Sequence, residues 1–128
     1  PAHAALLRDT KGIAGVRPED YDALFVAGGQ SPMVTFRGHE PLKRLVADFH
    51  AAGKVTALVC RATCLLLDVR GSDGALLVAG KTWTGFANSE EAFADAAVGR
   101  RIQPFWIEDE ARRLPGTNFV VDQAFRAF

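Results

Sequence analysis

Two cysteines, Cys60 and Cys64, stand four residues apart in the stretch VTALVCRATCLLLDV. Cys60 closes a run of strand-forming residues, and a helix-like run of Ala, Leu and Val begins at once behind it. At a sharp strand-to-helix turn a side chain is pushed out over the sheet, and the amides that follow point at whatever binds beside it. The helix N-terminus also favours the thiolate there, so a thiol so placed can act as a nucleophile. Burial as a small apolar residue is the ordinary fate of a free cysteine, and the turn position is what sets Cys60 apart from it. Cys64 lies one turn further on among Leu65, Leu66 and Leu67, so packing is its expected role, and regular helix geometry opposes a bridge at that spacing. Two cysteines are too few ligands for a zinc site, and neither a metal nor another cofactor is expected.

Cys60 can do chemistry only if other elements bring it partners. Residues 21–27, YDALFVA, form a short apolar run closed by Gly28-Gly29, the pattern of a buried parallel strand. From Pro41 onward Leu42, Leu45, Val46 and Phe49 recur at helical spacing, with Pro41 suited to the first turn and Gly53 to the stop. Residues 55–59 are apolar again, which makes a strand, a helix and a strand. A right-handed parallel crossover ends both strands at one sheet edge, so Gly28, Gly29, Gln30 and Ser31 are expected to meet Cys60, Arg61, Ala62 and Thr63.

The remaining elements read more weakly. GSDG at 71–74 is a turn, and ALLVAGKTW suggests two short strands around Gly80. Asn88 and Glu91 have the spacing of an N-cap and its N3 partner, opening a helix to about Val98. Residues 104–114 suggest a short helix with Ile107, Ala111 and Leu114 inward, and TNFVV a closing strand. Glu90, Glu91, Glu108, Asp109 and Glu110 fall in first helical turns, where acids favour the helix dipole. His39 and His50 stand at helix ends among charged residues and are expected at the surface, while Trp83 and Phe86 are expected in the core or on a dimer face, with pocket lining as the lesser alternative.

Composition narrows the function classes. Lys plus Arg and Asp plus Glu are 15 each, so the formal net charge is zero and nothing draws the chain to nucleic acid or an anionic membrane. With 128 residues and 48% hydrophobic composition, one domain over 1–128 is expected. The longest apolar runs fall far short of the roughly 20 residues that span a bilayer, and reduced cysteines fit a cytoplasmic setting. The expected partner is a small molecule.

RPEDYDALFVAGGQSPM, LKRLVADFHAAGKVTALVCRATCLLL, LLVAGKTWTGFANSEE and IEDEARR, in that order over about residues 17–119, resemble the ThiJ/PfpI superfamily of class I glutamine amidotransferase-like proteins. The likeness is to its branch of stress chaperones and glutathione-independent glyoxalase III enzymes. It implies a flavodoxin-like three-layer α/β sandwich with a mainly parallel sheet, usually dimeric. It also implies Cys60 as nucleophile with Arg61 beside it, amides of Gly29, Arg61 and Ala62 as oxyanion donors, and Gly28, Gln30 and Thr63 around the pocket.

The expected activity is conversion of a small carbonyl compound such as methylglyoxal to a hydroxy acid. The alternatives are a chaperone or redox sensor without turnover, and a cysteine hydrolase acting on an amide or isonitrile-like substrate. Two departures stand out. The branch usually has His after the cysteine where this chain has Arg61, which cannot shuttle protons near neutrality. The family's first strand-helix unit, whose loop donates an acid to the cysteine, and its C-terminal end are expected to lie outside these residues.

Overall fold

A computed structural model describes residues 2–125. After three short 3-10 turns, the elements run β1 (Ala23–Val26), α1 (Pro32–Thr35), α2 (Glu40–Ala51), β2 (Val55–Leu58), a 3-10 helix (Cys60–Leu67), β3 (Thr82–Trp83), α3 (Asn88–Val98), α4 (Ile107–Ala111) and β4 (Asn118–Phe119). β1 and β2 pair in parallel with Ala23 opposite Val55 and Val26 opposite Leu58. β3 and β4 also pair in parallel, Thr82 opposite Asn118. The parallel α/β architecture is therefore present, with the strands grouped as two separate pairs among the described residues.

α2 forms where local chemistry favours it. The His39 side chain caps it by accepting the Leu42 amide through Nδ1 at 3.1 Å, and Pro41 occupies the first turn, where no amide hydrogen is required. Leu42, Leu45, Val46 and Phe49 make its buried stripe. Val46 packs with Val26, Ala62, Leu65 and Val69 in one core. A second core gathers Met33, Cys64, Leu67, Trp83, Phe86, Ile107 and Phe119. The helix that begins at Cys60 contributes to both, so the backbone under the thiol is anchored from two sides.

Several expectations need correction. The run behind Cys60 is a 3-10 helix and not an α-helix. In ALLVAGKTW only Thr82–Trp83 is strand, and Leu76 makes an isolated antiparallel bridge with Arg70. The helix expected over 104–114 is confined to Ile107–Ala111. The N-cap of α3 is Ala87, with Glu90 at N3 accepting the Ala87 amide at 2.8 Å, one residue before the Asn88 and Glu91 pairing suggested by spacing. Asn88 is occupied elsewhere: its side chain donates to Asp109 Oδ1 at 2.7 Å and its amide to Glu108 Oε2 at 2.7 Å, which ties α3 to α4.

Arg37 ties three further segments together. It donates twice to Asp68, at 2.5 and 3.0 Å, and once to Glu110, at 2.9 Å, while its guanidinium lies 4.7 Å from the Phe105 ring centre. Hydrogen bonds to Asp68 lead the effects that hold Arg37 above its ordinary basicity, with burial opposing.

Candidate active site around Cys60

Cys60 has φ of +57°, in the left-handed region that side chains rarely adopt. Such a residue persists only where its surroundings fix it, and here Thr63 Oγ1 donates to the Cys60 carbonyl at 2.7 Å while the chain on either side is locked into β2 and the two cores. The strand ladder continues one residue past β2, because the Val59 amide donates to the Val26 carbonyl at 3.2 Å. This brings the end of β1 against the turn. A Cβ on Gly28 would sit 2.7 Å from both the Cys60 Cβ and the Val59 carbonyl oxygen, so only glycine fits there.

The expected meeting of the two loops is therefore observed. Gly29 follows in a positive-φ conformation, and neither its amide nor that of Arg61 finds an acceptor among the described residues. The Ala62 amide differs: it donates to the Val59 carbonyl at 3.1 Å, closing the turn, so that of the three expected donors only Gly29 and Arg61 keep an amide without a described acceptor. Of the residues expected at the site, Cys60 and Thr63 line the cavity, whereas Gly28, Gly29, Gln30, Arg61 and Ala62 stand outside its described wall. The Gln30 side chain instead accepts a hydrogen bond from the buried Gln103 amide, which clamps the Gly28-Gly29 loop to a segment far along the chain.

Arg61 points away from bulk solvent. Its Nε and Nη2 donate to the two carboxylate oxygens of Glu91 at 2.8 and 2.7 Å, with side-chain exposures of 6% for Arg61 and 0% for Glu91. The guanidinium also lies over the Phe86 ring, 4.0 Å from its centre. Burial works against the Arg61 charge, yet the hydrogen bonds and attraction of Glu91, with a smaller contribution from the Cys60 sulfur, outweigh it and raise its basicity. Arg61 is thus a fixed cation, held in place from behind.

Cys60 opens into a cavity of about 400 Å³, also lined by Thr63, Phe86, Glu90 and Asp122. A larger cleft of about 500 Å³ beside α2 and residues 68–72 is lined by no cysteine. Cys64 is buried, its sulfur 3.5 Å from the Pro32 carbonyl, and burial pushes its thiol up to about 12. No helix is long and apolar enough to cross a membrane, and no group of three or more metal-ligating side chains occurs among the described residues.

Glu91 and Gln103 were not read from sequence as parts of this site, and Phe86 takes the lesser of its expected roles by lining the cavity. Glu91 carried one signal: an arginine placed directly behind a buried turn needs a carboxylate, and two adjacent glutamates at a helix start cannot both face solvent at the same angle.

The DJ-1/PfpI family pattern matches residues 4–124. Two probable glutathione-independent glyoxalases of Schizosaccharomyces pombe are similar to the chain, one 28% identical over 118 residues and the other 30% identical over 117. These alignments cover 90% and 91% of this chain but 45% and 53% of the relatives, so the chain spans about half their length. The solved structure of the Francisella tularensis Rapid Encystment Protein of 24 kDa shares the fold, with a TM-score of 0.84 at 23% identity over 98% of this chain and 54% of that one. By its pattern over nearly its whole length, the chain belongs to the DJ-1/PfpI family.

Proposed function

We propose that the chain is the thiol-bearing part of a cysteine-dependent enzyme that converts a small 2-oxoaldehyde, methylglyoxal in the first instance, to the corresponding hydroxy acid. The observation that carries this reading is Cys60 at φ +57°, lining a cavity of about 400 Å³ at the turn that the glycine loop meets. The names of the two Schizosaccharomyces relatives support it.

In this reaction the Cys60 sulfur adds to the aldehyde carbon, and the carbonyl oxygen, facing the two amides, becomes the hydroxyl of a hemithioacetal. A base moves the proton from that carbon to its neighbour while the hydroxyl proton passes to the former ketone oxygen, which converts the adduct to a thioester of the hydroxy acid. Water then cleaves the thioester and returns the thiol, so the net change is addition of one water. Arg61 keeps its proton throughout in its pair with Glu91, so the proton carrier is another group.

Formation of lactate from methylglyoxal without added thiol tests the reading, with Cys60→Ser as the control. Turnover that survives the substitution overturns it. A second reading, a chaperone without turnover, is favoured by the bare apolar face of the β1–β2 pair, where Phe25 and Val55 are 67% and 68% exposed. Holding of an unfolded client that persists in Cys60→Ser, in a protein without turnover, would favour that reading instead.

A further inference from the structure

We propose that the Cys60 cavity discriminates by charge, admitting neutral carbonyl compounds in preference to anionic ones, and that Asp122 is the main source of that selection. The proposal deepens the enzyme reading above and rests on it for the identity of the substrate.

Among the described residues the charged side chains in the cavity wall are Glu90 and Asp122, both acids. Glu90 is anchored at both oxygens, Oε2 accepting the Ala87 amide at 2.8 Å and Oε1 the Phe125 amide at 2.9 Å. Asp122 is exposed, and its Oδ1 accepts the Gln123 amide at 2.7 Å. Neither acid has a cationic partner among the ion pairs of the described residues.

Arg61, next to Cys60 in the chain, is matched by the fully buried Glu91 in a two-pronged pair and faced by the Phe86 ring. Seen from the cavity, that pair is close to neutral. Among the described residues of the wall, an incoming carboxylate therefore meets two like charges and no positive one, whereas a neutral aldehyde reaches the sulfur without that penalty. This replaces the simpler idea that an arginine beside the nucleophile receives a substrate carboxylate.

Iodoacetamide and iodoacetate test the field at the sulfur independently of turnover. Both react by the same displacement: a sulfur–carbon bond forms, the carbon–iodine bond breaks and iodide leaves. They are of similar size and differ in charge. At low salt the ratio of the two alkylation rates at Cys60 is expected to exceed that of a small free thiol by roughly 3-fold or more. It should fall toward the free-thiol ratio in Asp122→Asn and in high salt. Asp73→Asn, which removes a charge from a distant turn, should leave it in place.

A wild-type ratio at or below that of the free thiol, or one untouched by Asp122→Asn, overturns the proposal. The turnover arm compares methylglyoxal with glyoxylate, and Asp122→Asn is expected to shift relative kcat/KM toward glyoxylate. Charge-selective alkylation with no turnover of either compound would sink the enzyme reading and keep the selection. Turnover with no charge preference in alkylation would do the reverse.

Discussion

At the scale of single residues, two thiols one helical turn apart have opposite surroundings. Cys60 opens on the cavity, whereas Cys64 is buried and its thiol is pushed up to about 12 by that burial. Native-state labelling with iodoacetamide at neutral pH, read by peptide mass spectrometry, is expected to modify Cys60 and spare Cys64. The Cys64 shift also has a stability consequence. Below the ordinary value of 9.0 both folded and unfolded chains hold the proton, while between 9.0 and about 12 the folded chain holds it more tightly. Stability should fall as pH rises through that window, and the fall should be shallower in Cys64→Ala when denaturant midpoints are compared.

The Arg61–Glu91 pair makes a larger prediction. Glu91→Gln leaves a buried guanidinium without its counter-charge and should cost about 3 kcal/mol in denaturant unfolding. A loss under about 0.5 kcal/mol would mean that water already screens Arg61, contrary to its burial. Cys60 was legible in the sequence because its position between strand and helix is a local pattern. Glu91 was not, because an acid in a first helical turn already has a sufficient local explanation, and its partner lies 30 residues away.

At the scale of elements, β1, α2 and β2 could be read directly: the apolar runs, the Pro41 start and the glycine stops all agree with the observed β1–α2–β2 unit. The weaker elements went astray where tertiary contacts override local preference. Asn88 is a better N-cap type than Ala87, yet its side chain is taken by Asp109 on α4, so the helix register moves by one and Glu91 turns inward. ALLVAGKTW has strand composition, but turns occupy most of it and only Thr82 and Trp83 find a partner strand. The tightest element contact is the one between the loops that follow β1 and β2. Gly28→Ala would force a Cβ to within 2.7 Å of Cys60 Cβ and of a carbonyl oxygen, so a destabilisation of about 1–3 kcal/mol is expected in thermal or denaturant melts. An unchanged midpoint would show that the loop yields freely, and the site would then lack the rigidity described for it.

At the scale of the molecule, the two cores meet through one short helix, so Cys60 is supported by the packing of residues from Val26 to Phe119. This breadth was hidden from the sequence, because which residue faces which core depends on 3-10 geometry that apolar spacing alone does not announce. The parallel register described for both strand pairs has a kinetic consequence. Ala23 and Val55, like Thr82 and Asn118, are roughly thirty to forty residues apart, so neither pair can form from a local turn. Chain entropy must be lost over a long closure before any ladder bond forms, which places such pairings among the slow events of folding. Val46→Ala, in the fully buried stripe of α2 that bridges β1 and β2, is expected to destabilise by about 2 kcal/mol and to express much of that in a slower refolding rate. A collapsed chain that has not yet closed this crossover carries the Cys60 thiol but no glycine loop opposite it. Reactivity should therefore arrive in step with native structure during refolding, with the thiol itself serving as the clock.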